Sequence, residues 1–370
     1  MPIAGGNINI DSTEGVDKIS QTKKVTSPYF SDGSTTLAAA NIVTSSLTDT
    51  NEKYFFGISN NNTPTVEEFN VAFGDIEGHG VLTESLTISE TKAIYGQYAS
   101  LLLHASEVTG GFFISQNNSL ATPPSDARVS GRDNEIYVLS AVRSNMKDRI
   151  NKGTWQVNLS GSNSAGNGSG VLHLKDDSST TNPIATPAGD RYNIVSCSSD
   201  GTIAGAASVR TFGFFYPDQG LLVFSGGELS SSIPGVATGI NTIVGFESAS
   251  ALGFGTGDTN AEDLKNGMRF INCLQVNGTS LEFRDEEDQV SAQYFCRVRS
   301  GQMNFSNNPT FVSGSQNELR QSSMRDFPTT FITSIQLYNS DGDMVAVGNL
   351  SKPLKKDFAS EATIKVELTY

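Results

Sequence analysis

Histidine and cysteine, on which most metal centres and nucleophilic active sites draw, are scarce here, with three of each in 370 residues. Cys197, Cys273 and Cys296 lie far apart and are odd in number. That fits neither a zinc site nor a disulfide framework, so they read as thiols of a chain made in a reducing cytosol. His104 ends an apolar helical stretch and His173 alternates within a strand, which leaves His79 as the loop histidine that could act with Asp75 and Glu77. In Glu77-Gly78-His79-Gly80 a solvated turn is the simpler reading. The sequence has no G-x-S-x-G elbow and no H-E-x-x-H helix, and Gly253-Phe254-Gly255-Thr256-Gly257 lacks the spacing of a dinucleotide or phosphate loop. The sequence therefore predicts no enzyme, no cofactor and no metal, although carboxylates paired across the fold would escape a search of this kind.

Positive charge is also in short supply. The formal net charge is −14 and charged residues make up 17%. Phosphate contacts need clustered Lys and Arg, so nucleic acid is not the expected partner. The groups Lys18/Lys23/Lys24 and Lys352/Lys355/Lys356 are short enough to be solvated segments. No apolar run reaches the roughly 18 residues of a helical membrane span. Met1-Pro2-Ile3-Ala4-Gly5-Gly6 has neither the basic head nor the apolar core of an export signal, so no membrane partner is expected.

The chain is rich in glycine, 36 copies, and in Ser, Thr and Asn, a mixture suited to many short strands joined by polar turns. The expected fold is mainly β (α+β), with several antiparallel hairpins forming sandwich-like domains and a few short helices. Residues 1–52 hold few large apolar side chains beyond Tyr29 and Phe30, and read as an extended arm that orders on another subunit. Residues 53–265 read as a central β-rich region. Strands are expected at Tyr54–Ser59, Glu135–Val142, Thr154–Ser160, Gly170–Lys175 and Arg191–Ser196, and a hairpin at Arg210–Phe224 turning on Pro217 and Gly220. Thr65–Phe73 fits helix or strand. A helix is expected near 89–104, capped by Ser89, with Ile94, Tyr98, Leu101 and Leu102 on its apolar face. Arg143–Ile150 suggests a helical turn or two ending at Gly153.

Residues 266–370 read as a third, hairpin-built region. Met268–Val276 and Leu281–Arg284 flank Asn277-Gly278, a type I′ signal, and Val290–Arg299 follows as a strand. The firmest hairpin is Thr330–Tyr338 and Met344–Ser351 around Asp341-Gly342, after which Pro353, lacking an N–H, breaks the ladder. Ala362–Tyr370 places Ile364, Val366 and Leu368 on one face, as in a half-buried strand. Asn339, Asp341 and Asp343 lack the spacing of a calcium loop. The run Asp285-Glu286-Glu287-Asp288 reads as an exposed loop.

Ile332-Thr333-Ser334-Ile335-Gln336-Leu337-Tyr338, followed by the Asp-Gly turn and Met344-Val345-Ala346-Val347-Gly348-Asn349-Leu350, resembles a segment of virion proteins of contractile-tailed bacteriophages, notably large phages of cyanobacteria. Gln336 stands where that pattern has Gly. Thr91 to Leu103, Ile136 to Gly161 and Tyr294–Pro309 are similar to further segments of those proteins, in the same order. The resemblance implies a tail, baseplate or fibre-attachment protein, carried in the virion after synthesis in the host cytoplasm. It also implies other virion proteins and further copies of the chain as partners, and leaves room for contact with the host surface. A head, neck or capsid-decoration protein, or a polysaccharide-binding spike, would be built from similar parts. On this resemblance the expected assembly contacts are Phe331, Ile332, Ile335, Leu337, Tyr338, Pro353 and Tyr370.

Overall fold

A computed structural model describes residues 18–44, 55–64, 66–78, 90–114, 132–162, 169–203, 211–229, 266–274, 279–313 and 318–369. The first strands are β1 (Lys18–Pro28), β2 (Thr36–Ala38), β3 (Ile42–Thr44), β4 (Phe55–Asn60) and β5 (Glu67–Asp75), followed by helix α1 (Glu90–Leu102). Next come β6 (Glu135–Ala141), β7 (Arg149–Ile150), β8 (Gln156–Ser162), β9 (Ser169–Asp176), β10 (Ile184–Thr186) and β11 (Gly189–Cys197). The hairpin β12 (Thr211–Tyr216) and β13 (Leu221–Ser225) precedes helix α2 (Asn266–Leu274). Then follow β14 (Thr279–Glu282), β15 (Arg284–Val298), β16 (Val312–Ser313) and β17 (Glu318–Leu319). The last strands are β18 (Thr330–Tyr338), β19 (Met344–Lys356) and β20 (Ala362–Thr369). The fold is mainly β and antiparallel, as expected.

The chain forms two compact units, one of Val25–Glu287 and one of Met1–Lys24 with Asp288–Tyr370. These boundaries differ from the arm and two regions read from composition. Tyr29, Phe30, Leu37 and Ile42 are buried in the first unit's own core, so residues 25–44 are part of that body.

In the Val25–Glu287 unit a twelve-stranded sheet runs β2-β14-β8-β9-β11-β12-β13-β6-β5-β4-β3, with β10 hairpinned onto β11. Its two end strands, β2 and β3, are separated in the chain only by a 3-10 turn, Ala39–Asn41. Neighbouring strands lie about 4.8 Å apart, so an open sheet of this width would hold its ends some tens of ångströms from each other. Three residues of 3-10 turn span only about 6 Å. The sheet must therefore roll until its two ends come near each other. Ring contacts across the roll agree, since Phe69 of β5 lies 4.7 Å from Phe283, just beyond β14. This facing of two halves of one sheet is the form the sandwich-like expectation takes.

The central strands are apolar at nearly every position because both faces are covered. Tyr137 and Leu139 of β6, with Leu222 and Phe224 of β13, face the interior and α2. Ile136, Val138, Leu221 and Val223 face outward beneath α1. Gly74 permits that packing, because a Cβ there would lie 3.0 Å from the Tyr95 backbone nitrogen.

Several local expectations are corrected. Met268–Leu274 lies within helix α2 rather than a strand: Phe270, Ile271, Cys273 and Leu274 are buried, which is the spacing of a helix face. Residues 277–278 lie outside the described ones. On α1 the buried face is Thr91, Tyr95, Ala99 and Leu102, while Leu101 is exposed. Tyr95 sets this rotation, since its hydroxyl donates to the Asp133 carbonyl (2.7 Å) and accepts from Phe112 N–H (2.8 Å). Arg143–Ile150 forms a turn and β7 instead of a helix, and Gly153, at φ 76°, gives its N–H to the Asp176 carboxylate. Thr65–Phe73 is resolved as strand β5 over its described part. The pairs β8–β9 and β12–β13, with Gly220 at φ 65°, and the strand β11 are as expected. His79 and residues 230–265 lie outside the described residues.

In the other unit Ser291–Val298 of β15 pairs with Thr369–Ala362 of β20, and Ile364, Val366 and Leu368 are half-buried on one face as the alternation predicts. β16 pairs with β17 and β18 with β19.

Candidate assembly surface

The β18–β19 hairpin begins from its turn. Asn339 N–H donates to the Asp343 carbonyl (3.0 Å), and Asn339 Oδ1 accepts from Asp341 and Asp343 N–H (3.0 and 2.7 Å). Gly342 takes φ 87°, the conformation for which Asp-Gly was read. The Asn339 oxygen is thus used in closing the turn. Pairing runs from Tyr338 opposite Met344 to Thr330 opposite Lys356. Its register jumps between Ile332, opposite Leu354, and Ser334, opposite Asn349. Pro353 sits in that bulge, so the ladder is interrupted there, as its missing N–H requires, and then resumes.

The hairpin is fastened at its root. Lys356 is 0% exposed, and its Nζ donates to the Ser300 carbonyl (3.0 Å), Asn304 Oδ1 (2.8 Å) and the Asp357 carbonyl (2.7 Å). Opposite it, Thr330 Oγ1 donates to the Met303 carbonyl (2.6 Å). The reading of Lys352/Lys355/Lys356 as uniformly solvated is therefore corrected at Lys356, a buried ammonium whose three donors all find neutral oxygens.

Beyond the root the apolar side chains meet solvent. Phe331 is 59% and Tyr338 55% exposed, Ile332, Ile335 and Leu337 are half-buried, and Pro353 is exposed. Tyr370 lies outside the described residues. Reasoning from sequence missed Met344, Val345 and Val347, all exposed. Phe305, Phe327 and Phe358 are exposed in the same unit. Its buried hydrophobic residues, among those described, are only Ala292, Val298, Val312 and Ala362. Its exposed large hydrophobic side chains outnumber its buried hydrophobic ones.

The Val25–Glu287 unit shows the ordinary arrangement and two polar features. A shallow cleft of about 360 Å³ is lined by Lys175, Asp200, Glu282 and Arg284 among others. Trp155 also borders it, but its ring is stacked on Phe283 (5.7 Å) and edged by Phe215 (5.1 Å), so it belongs to the core. Among the described residues no group of three His, Cys, Asp or Glu is placed to hold a metal ion. No helix there is long and apolar enough to cross a membrane. Cys197, Cys273 and Cys296 form no disulfide with one another.

The second feature is a buried acidic strand end, a correction to the exposed loop expected at Asp285–Asp288. Glu286 accepts from Arg149 Nη1 (2.9 Å) and Asn151 Nδ2 (2.6 Å), and Lys147 Nζ meets Glu287 (2.6 Å). Asp285 is 2% exposed, and burial pushes its carboxyl up to about 6, against the pull of the Lys147 N–H and the Lys147 and Arg143 charges. The folded state then holds this proton more tightly than the unfolded chain. Its contribution is fully present below about pH 4 and is lost as pH rises through 6. Asp285→Asn is therefore expected to raise stability over wild type at pH 7 and to leave it unchanged near pH 4. Urea midpoints at several pH values check this, and a difference independent of pH would refute the assignment.

No protein-family model matches this chain, and no curated protein or solved structure shows significant similarity to it.

Proposed function

We propose that this chain is a non-enzymatic structural protein of the virion of a contractile-tailed bacteriophage, serving in the tail, baseplate or fibre-attachment apparatus through subunit–subunit assembly. The observation that carries the assembly reading is the inverted distribution of apolar side chains in the Asp288–Tyr370 part of the chain. There Phe331, Tyr338, Met344 and Val347 are exposed, while the buried hydrophobic residues among those described are Ala292, Val298, Val312 and Ala362. A unit with so little core falls short of what small domains need, and such domains are commonly completed by oligomerisation. Patches of this kind mark protein–protein contact. The phage setting comes from the sequence segments around Ile332–Leu350, Thr91–Leu103, Ile136–Gly161 and Tyr294–Pro309. The mechanism is surface complementarity, with hairpins docking neighbours and free strand edges adding main-chain hydrogen bonds.

Antibodies raised to the chain, applied to purified particles of the phage that encodes it and viewed by immunogold electron microscopy, test the proposal. Label is expected on the tail or its base. Label confined to the head would replace the tail role by a capsid or neck role, and absence of the chain from purified particles would remove the virion role altogether.

A further inference from the structure

We infer that β18 is a homotypic docking strand: its free edge pairs antiparallel with β18 of a second copy, making a continuous sheet β19-β18-β18-β19 across a two-fold axis. This deepens the assembly reading above and rests on it.

The two edges of the hairpin differ in kind. β19 carries the exposed Lys352, Pro353 and Lys355, charge and proline of the sort that natural sheets place on edges to prevent pairing. β18 is TFITSIQLY, with no charge and no proline in nine residues, and among the described residues its only hydrogen-bonded neighbour is β19. An undefended edge of that length is a template for another strand. Both faces of the hairpin are apolar as well. The cross-strand register puts Tyr338, Met344 and Val347 on one face and Phe331, Leu337 and Ala346 on the other. Such two-sided composition belongs to an interior strand. A two-stranded ribbon alone is marginal in water, and three or more strands are needed for independent stability.

A second copy fits as the occupant on charge and on the side chains of β18. Across the new edge the exposed Phe331 and Tyr338 and the half-buried Ile332, Ile335 and Leu337 meet their counterparts, while Met344, Val345 and Val347 stay on the outer strand; the contact is smaller than the ~800 Å² per partner of a permanent interface and gives a reversible dimer. The whole chain carries a net charge of −14, so two copies repel over most of their surface. The hairpin is the exception, setting the exposed Lys352 and Lys355 against Asp341 and Asp343, and β18 itself is neutral. In a register centred on Ser334, Phe331 opposes the partner's Leu337, Thr330 opposes the partner's Tyr338, and no like charges meet. That is a self-complementary, isologous contact.

Ser334 is exposed, so a charge there is tolerated in the single chain. At the two-fold it would face its own copy. Sedimentation velocity of the full chain is expected to show a monomer–dimer equilibrium between about 1 µM and a few hundred µM. Ser334→Lys and Ser334→Glu should each weaken self-association at least ~tenfold, because like charges directly opposite one another repel. An equimolar mixture of the two variants should recover the dimer, which a merely misfolded variant cannot do. Wild-type monomer at every concentration, single variants that dimerise like wild type, or a mixture that stays monomeric would each overturn self-pairing. A monomeric chain that nevertheless labels the tail would leave the virion role standing and assign β18 to a different protein.

Discussion

Lys356→Met is expected to lower the stability of the Asp288–Tyr370 part of the chain by about 3 kcal/mol, since a hydrogen bond from a charged donor contributes about 1.5–3 kcal/mol and buried acceptors left without donors add their own cost. Methionine keeps the volume of the lysine stem, so the loss isolates the ammonium from its packing. Three oxygens converge on Nζ, from Ser300, Asn304 and Asp357, at 2.7–3.0 Å. Asn304 is itself held by a bond from Nδ2 to the Ser300 carbonyl (2.6 Å). Removing Nζ therefore loosens the 300–304 loop, in which Met303 holds φ 56°, a conformation a non-glycine residue keeps only when its surroundings fix it. Arginine should not rescue the variant, because a planar fork cannot satisfy three acceptors grouped around a point. Limited proteolysis is the direct measurement, with cleavage expected between residues 300 and 330 in Lys356→Met and Lys356→Arg and not in wild type. Equal resistance of all three would show that the hairpin root is fixed by other contacts.

Lys356 also shows where sequence reading stops. A lysine in Lys352-Pro353-Leu354-Lys355-Lys356 looks solvated, because the acceptors of Lys356 on Ser300 and Asn304 lie more than fifty positions away. The same non-locality hid the burial of Glu286, whose partners sit on Arg149 and Asn151. Local signals were read well where they act locally. Asp341-Gly342 turns as its permissive φ requires, Pro217 and Gly220 close β12 on β13, and Ile364, Val366 and Leu368 share a face. α2 was misread because Phe270-Ile271 and Cys273-Leu274 form a short apolar run that suits a strand as well as a helix face. The β18–β19 hairpin was legible as a hairpin. Its exposure was expected from the resemblance and not from alternation, which says which residues share a face and nothing of whether that face is covered.

Phe283→Ala is expected to cost the Val25–Glu287 unit about 4 kcal/mol, in the range of buried phenylalanine truncations, because the residue is fully buried at the closure of the roll. Its ring lies 4.7 Å from Phe69, 5.7 Å from Trp155 in a parallel stack and 6.1 Å from Tyr29. Phe69 belongs to β5, Trp155 leads into β8, and Tyr29 follows β1, so one side chain joins three segments that the chain order keeps apart. The Phe283 N–H adds a bond to the Thr35 carbonyl (3.0 Å), just before the segment that links the sheet's two end strands. Alanine would leave a cavity bordered by three aromatic rings, and rings fixed by strand pairing cannot collapse far into it. Phe283→Leu, which refills most of that space, should recover more than half of the loss. Trp155 is the only tryptophan in the sequence and lies against Phe283, so its fluorescence during urea unfolding reports this unit directly. A midpoint for Phe283→Ala within error of wild type would mean that the roll is held by the β2–β14 and β3–β4 pairings with the Ala39–Asn41 turn between them. In that case the aromatic cluster would follow closure instead of driving it.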